Sequence, residues 1–357
     1  MSRIVIKIGT SSLTNEAGII DTRVIEDVAN QVAALREQGH TVTIVTSGAI
    51  SAGMPVLDIS ANDRPSDAVT LQALSSIGQP ALLQTWSESL AEHGINTGQI
   101  LLAPHNFGER SQYLHARATL EKLHELGVVP LINENDAVTD AAIRYGDNDR
   151  IAALVAPMVD ADTLVLLTDT DGVLTADPRV DPNASLIEEI VEFDQHVESL
   201  GGGAGTVRGS GGMASKLTAA KIAAWSGVRT VIANAERPNV LVDAVNGVDG
   251  VGTIVQPRQT TLPARKLWIG FAMPAVGTVT VDDGAVAALG DGGRSLLAVG
   301  VTGVDGAFEA GAAIDVATPA GDVFAKGLAS IGSSELAATE RTHSAVVVHA
   351  DDLVILS

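Results

Sequence analysis

The chain contains no cysteine. That removes disulfides, a thiolate nucleophile and a cysteine-held zinc from consideration, and a cytoplasmic protein is the simplest expectation. Basic residues are few: 22 Lys and Arg stand against 43 Asp and Glu, a formal net charge of −21. Such a chain is not drawn broadly to nucleic acid or to an anionic membrane. Any anionic substrate would need a locally basic or amide-lined pocket to overcome that field. Long apolar runs are missing as well, because Thr, Asp and Gly interrupt every hydrophobic segment before it reaches membrane-spanning length. The N-terminus, MSRIVIKIGTSS, lacks a signal-peptide layout, since its short apolar stretch contains Lys7 and ends in glycine.

What is present describes a globular protein with a sizeable core, 46% hydrophobic and 18% charged. At 357 residues two domains are expected. The first two-thirds alternate strand-like and helix-like segments. "RIVIKIG", "TVTIVTSG", "INTGQILLA", "GVVPLINEN", "ADTLVLLTD" and "GVRTVIAN" read as short strands, the last as the final clear one. Between them lie helical patterns at 21–38, where Val24, Val28, Val32 and Leu35 fall at helical spacing, and near 66–92, 108–126, 147–159 and 213–226. This predicts an α/β fold, a mostly parallel open sheet with helices on both faces, over residues 1–258. Residues 259–273, containing "QTTLPARK", are expected as a linker. Residues 274–357, with short runs split by glycine and aspartate turns, are expected as a small barrel-like β domain.

Ligands of such sheets gather at the carboxyl ends of the strands. Here those ends carry Gly, Ser, Thr, Asn and Asp. Lys7 precedes Gly9-Thr10-Ser11-Ser12, so an ammonium and turn amides could share an anion; a lysine that simply reaches solvent is the bland alternative. Ser47 and Gly48 make a second strand-end turn, which could hold a carboxylate or merely cap a helix. "NENDAV", with Asp136, follows a strand, and "GDNDR", with Asn148 and Asp149, opens a helix. Solvated turns are the ordinary reading of such clusters, but their proximity favours a polar ligand. Calcium-loop spacing is absent. Thr168 and Asp169 end a further strand, in a loop that could touch nucleotide.

The segment "GSGGMASK", Gly209 to Lys216, closes a glycine run. It lacks the Gly-Lys-Ser/Thr triplet of a phosphate loop. It meets the dinucleotide spacing at Gly209, Gly211 and Ala214, but no strand precedes it, and the next strand ends in Ala233-Asn234 with no acid. Free amides at a helix start bind phosphate, and Lys216 in the first turn adds a full charge.

In order, "KIGTSSLT", "VTSGAI", "LINENDAV", "YGDND", "LLTDTDGVLTADPR" and "GSGGMASK" resemble the amino-acid kinase family, most closely its branch acting on the glutamate side chain. The resemblance covers roughly residues 3–255, and the tail resembles a PUA domain. It implies transfer of phosphate from ATP, with Mg²⁺ carried by the ATP, to the side-chain carboxylate of L-glutamate. It implies catalytic roles for Lys7, Lys216 and Asp149, the last orienting the two lysines. Lys7, Gly9, Thr168, Asp169, Ser210, Gly211, Gly212, Met213, Ala214, Ser215 and Lys216 would bind ATP. Ser47, Gly48, Asp136 and Asn148 would bind glutamate. Proline as feedback inhibitor and a homo-oligomer are also implied. Sister kinases acting on aspartate, acetylglutamate or a nucleoside monophosphate are the nearest alternatives. An RNA-binding role through the tail is disfavoured: residues 274–357 hold eleven acids against three Lys and Arg, and Phe308 and Phe324 are their only aromatics.

Overall fold

A computed structural model describes residues 1–138, 148–177, 180–181, 183–193, 197, 200, 212–259, 261–290, 292–338 and 345–356. It divides into two compact units, Met1–Pro104 with Ser111–Thr261, and His105–Arg110 with Leu262–Ser357. No described helix is long and apolar enough to cross a membrane.

The first unit is built on an eight-stranded sheet. Its strands are β1 (Arg3–Ile8), β2 (Thr41–Thr46), β3 (Thr97–Leu102), β4 (Val129–Glu134), β5 (Thr163–Thr168), β6 (Glu189–Ile190), β7 (Arg229–Asn234) and β8 (Thr253–Val255). Their spatial order is β3-β4-β2-β1-β5-β7-β8-β6. Every pair is parallel except β7 with β8. The central strands are buried along nearly their whole length because helices cover both faces, which is why they read as short, mostly apolar runs. β7 is not the last strand. β8 and β6 extend the sheet, and at three and two residues they are too short to show periodicity.

Register brings the loops to one edge. Ile8 pairs with Thr46 and with Leu167, Thr168 with Asn234, and Leu102 with Glu134. The turns beginning at Gly9, Ser47, Asn135, Asp169 and Ala235 therefore emerge together.

The helices are α1 (Thr10–Leu13), α2 (Thr22–Glu37), α3 (Ala49–Gly53), α4 (Ala68–Ala91), α5 (Pro104–Gly108), α6 (Arg110–Glu125), α7 (Asn148–Met158), α8 (Met213–Trp225) and α9 (Val240–Asn246). Asp21 caps α2 by accepting from the Arg23 amide, and Ile25, Val28, Val32 and Leu35 form its buried stripe. Val24, expected on that stripe, packs only at its margin. Asp67 caps α4 in the same way through the Thr70 amide. α3 and α4 cross at glycines: a Cβ on Gly78 would sit 1.8 Å from the Ala49 carbonyl oxygen and 2.4 Å from the Gly53 nitrogen. Helix propensity favours alanine over glycine by about 1 kcal/mol, but a backbone collision of that depth is overpacking costing about 1–3 kcal/mol or more. Gly78→Ala is accordingly expected to lower the thermal midpoint; an unchanged or raised midpoint would show that the crossing can relax.

The second unit holds β9 (Gly277–Val281), β10 (Leu296–Leu297), β11 (Val301–Asp305), β12 (Ala313–Ala317), β13 (Val323–Ala329) and β14 (Val346–Ile355). They form a curled six-stranded sheet in the order β10-β14-β13-β12-β9-β11, antiparallel apart from β12 with β9. Val279, Val281, Ile314, Val316, Val347 and Val348 build a core of its own, and Phe308 and Phe324 are buried in it. The segment expected as a linker is partly structured. Helix α10 (Ala264–Leu267) and the π-turn Trp268–Ala272 pack on β14, where Arg265 pairs with Asp352 at 2.6 Å and Lys266 donates to the Ala350 carbonyl. α11 (Asp283–Gly290) and α12 (Ser333–Ala338) complete the unit.

Candidate active site

Lys7, Asp149 and Lys216 come from three different elements, β1, the first turn of α7 and the first turn of α8, and meet in the interior. The Lys7 ammonium lies 2.5 Å from Asp149 Oδ1, and the Lys216 ammonium 3.3 Å from Oδ2. The side chains are only 3%, 0% and 5% exposed for Lys7, Asp149 and Lys216, so Lys7 is no snorkelling surface lysine. The two ammoniums occupy one oxygen each of the same carboxylate. Ser215 Oγ also donates to Oδ2, at 2.9 Å. Burial by itself would raise the Asp149 pKa; the charges of Lys7 and Lys216 outweigh it and hold the carboxyl below its usual range. Asp149 is thus ionised at neutral pH, and the three groups together carry a net positive charge at the sheet edge.

Gly9 lies close against the Lys7 charge. A Cβ at that position would lie 3.3 Å from the Lys7 ammonium, so a larger residue would push on the charge. α8 begins at Gly212, whose cap position carries no side-chain hydrogen bond. Its first residues, Met213, Ala214, Ser215 and Lys216, open the helix toward this cluster. Ser210 and Gly211, and Gly209 with them, lie outside the described residues, as does the "GD" of "GDND".

Thr168 is buried at the end of β5, and its hydroxyl donates to Asp169 Oδ1 at 3.2 Å; Asp169 itself is exposed. The loop that follows is fastened on two sides. Asn234 Nδ2 donates to Asp171 Oδ1, and the Ala235 amide to the Thr168 carbonyl.

The other side of the cluster is lined by the uncharged side chains of Ser47, Asn133 and Asn148. Asn148 Nδ2 donates to Ser47 Oγ and to Asn133 Oδ1, both at 3.0 Å. The Glu134 amide reaches the Asn133 and Asn148 side-chain oxygens. Ser47, Asn133 and Asn148 thereby form one chain across the ends of β2, β4 and α7. Gly48 has φ 103°, the left-handed region that a side chain resists, and a Cβ there would meet Ile20 at 3.0 Å. Asp136 sits beyond β4 and accepts from Ser75 Oγ at 2.6 Å. Burial raises its pKa, and the Ser75 hydrogen bond works against that shift. The candidates Lys7, Asp149, Lys216 and Ser215 are therefore in direct contact, and Ser47 and Asn148 are in contact with each other. Ser75, Gln79, Trp86 and Thr253, which support these groups, carry no motif and were not singled out by sequence.

Residues 2–234 match the amino acid kinase family, and residues 277–350 match the PUA domain. A glutamate 5-kinase of Methylibium petroleiphilum is 46% identical over 333 residues, covering 93% of this chain and 89% of that protein. One from Burkholderia multivorans is 43% identical over 366 residues, covering 99% and 98%. The chain belongs to the glutamate 5-kinases of the amino acid kinase family. Both relatives align with the tail as well as the catalytic part, so this is a glutamate 5-kinase of the two-part kind, kinase unit first and PUA domain second.

Proposed function

We infer that the chain transfers the γ-phosphoryl group of ATP to the side-chain carboxylate of L-glutamate, giving L-glutamyl 5-phosphate, the first step of proline biosynthesis. The observation that most supports this chemistry is the buried Lys7–Asp149–Lys216 cluster, two ammonium groups held by one carboxylate at the sheet edge. A carboxylate is already nucleophilic at neutral pH and needs no general base. What opposes the reaction is the approach of one anion to a polyanion, and phosphoryl transfer is mainly positioning and charge neutralisation. A glutamate carboxylate oxygen forms the bond to phosphorus as the bond to the bridging oxygen breaks, and ADP leaves with the electron pair. Lys7 and Lys216 would neutralise the charge on the moving group. Asp149 would keep both ammoniums aimed and charged.

The start of α8, Gly9 and the loop from Thr168 and Asp169 would take the nucleotide. Ser47, Gly48, Asn148 and Asp136 would take glutamate, the last suited to its ammonium. Among the described residues no cluster of three or more His, Asp or Glu side chains could cage a metal, and the Asp149 carboxylate is engaged by Lys7, Lys216 and Ser215. That donor set fits Mg²⁺ held mainly by the phosphates of ATP, where it would lower their charge. The family resemblance further supports feedback inhibition by proline, assembly into a homo-oligomer and a cytoplasmic location. A coupled ADP-release assay with glutamate, aspartate, acetylglutamate and UMP, each with and without proline, tests the proposal. Turnover with glutamate above the others is expected; preference for any other acceptor would overturn it.

A further inference from the structure

Helix α4 presents Ser75, Gln79, Leu82 and Trp86 at spacings of four, three and four residues, one face of a helix. All four are nearly or fully buried, and the three polar ones each reach a different part of the acceptor side of the site. Trp86 Nε1 donates to Thr46 Oγ1 at 3.1 Å, and the same hydroxyl donates to the Ser47 carbonyl at 3.0 Å. Gln79 Nε2 donates to the Glu134 carbonyl at 3.3 Å, while its oxygen accepts from Gln99. Ser75 Oγ donates to Asp136 Oδ2. Gly78, on the adjoining line of the helix, seats α3, which grows directly out of the Ser47-Gly48 turn.

One 24-residue helix thus ties the ends of β2 and β4 to the carboxylate of Asp136. None of these bonds touches Lys7, Asp149 or Lys216. We propose that Ser75, Gln79 and Trp86 are positioning residues for the acceptor: α4 sets the spacing between the Ser47 turn and Asp136, and so governs how well glutamate, but not ATP, is held. This rests on the assignment of Ser47 and Asp136 to the glutamate site.

A separate observation carries the counterpart on the nucleotide side. The fully buried Thr253 of β8 accepts from the Val173 amide at 2.8 Å and donates to the Ile187 carbonyl at 2.6 Å. One hydroxyl therefore closes the base of the 173–187 excursion that follows Thr168–Gly172. Its loss leaves the Val173 amide and the Ile187 carbonyl without that partner and weakens the base of the nucleotide loop, which the Ile187 amide still ties to the Val173 carbonyl, without touching the acceptor turn.

The test is a comparison of Michaelis constants in the full-length chain. Ser75→Ala removes one donor with little change of shape; Trp86→Phe removes another and also vacates part of the indole's volume at a fully buried position, a cost the thermal midpoint reads. A single hydrogen bond of this kind corresponds to about three- to tenfold in binding. Each variant is expected to raise KM for glutamate by that factor and leave KM for ATP and kcat near the parent values. Thr253→Val is expected to raise KM for ATP alone, and Thr253→Ser, which keeps the hydroxyl, to restore it. A merely structural role would lower the thermal midpoint without this split. Equal rises in both constants, or no rise in either, would overturn the assignment. Failure of the glutamate reading would show separately, as preference of the unmutated chain for another acceptor, and the same split read with that acceptor would then decide the role of α4.

Discussion

Lys216→Ala is expected to fold normally and to lose about 10²–10³ of its turnover, the usual cost of removing one preorganised electrostatic stabiliser from a phosphoryl or acyl transition state. The fold should tolerate the change because Lys7 and Asp149 remain as a balanced buried pair at 2.5 Å. Negative charge builds on the departing ADP oxygen as its bond to phosphorus stretches, so the loss should fall mainly on kcat, with a smaller rise in KM for ATP. Circular dichroism and a thermal melt would establish folding, and steady-state kinetics would supply the rest. Near-normal turnover would remove Lys216 from the chemistry.

Asp149→Asn is expected to damage stability and activity together. The substitution keeps the shape but leaves two ammonium groups in a nearly water-free interior without the carboxylate between them. Removing one partner from a buried ion pair costs about 3–5 kcal/mol, a large share of the stability of an ordinary domain. The two lysines would then repel each other, and either would lose charge or move apart, so turnover should fall below that of Lys216→Ala. The contrast between the two variants is diagnostic: Lys216→Ala lowers the charge of the cluster, whereas Asp149→Asn raises it. Since the Asp149 pKa is lowered in the folded protein, its contribution to stability is fully present above the pKa of the unfolded carboxyl. It is lost as pH falls through the lower folded value. Near neutral pH the parent is expected to show no sensitivity from this group, and urea melts of parent and variant should converge only in strong acid.

Much of this was legible in the residues, for physical reasons that differ by element. β1, β2 and β5 are buried on both faces, so each reads as a short, mostly apolar run, and a glycine or small polar residue marks where the run leaves the sheet. Those markers located the functional edge. Lys7 was conspicuous as a charge inside an apolar strand, and Lys216 as a charge opening a helix after glycines. Their meeting on Asp149 is set by the packing of α7 against α8 and β1, which spacing does not reveal; the family resemblance supplied it. β6 and β8 were missed because two or three residues show no period; β8 takes its place by pairing with β7, and β6 by pairing with β8. The turns at Ala264–Ala272 were read as linker because proline and arginine resemble solvated chain, whereas Ile269 is fully buried. Ser75, Gln79, Trp86 and Thr253 were hidden for the opposite reason. They are polar groups inside otherwise apolar surroundings, and only their partners' positions give them a role.

The most direct measurement is chemical. Phosphorylation of a carboxylate gives an acyl phosphate, which hydroxylamine converts to a hydroxamate, whereas transfer to a phosphate acceptor gives nothing that hydroxylamine traps. With ATP, Mg²⁺ and L-glutamate, the purified chain is expected to yield hydroxamate and ADP in step, and Lys216→Ala to lower both together. Glutamate-dependent ADP with no hydroxamate, or undiminished hydroxamate from Lys216→Ala, would contradict a site in which Lys7 and Lys216, held by Asp149, move phosphate onto the glutamate side chain.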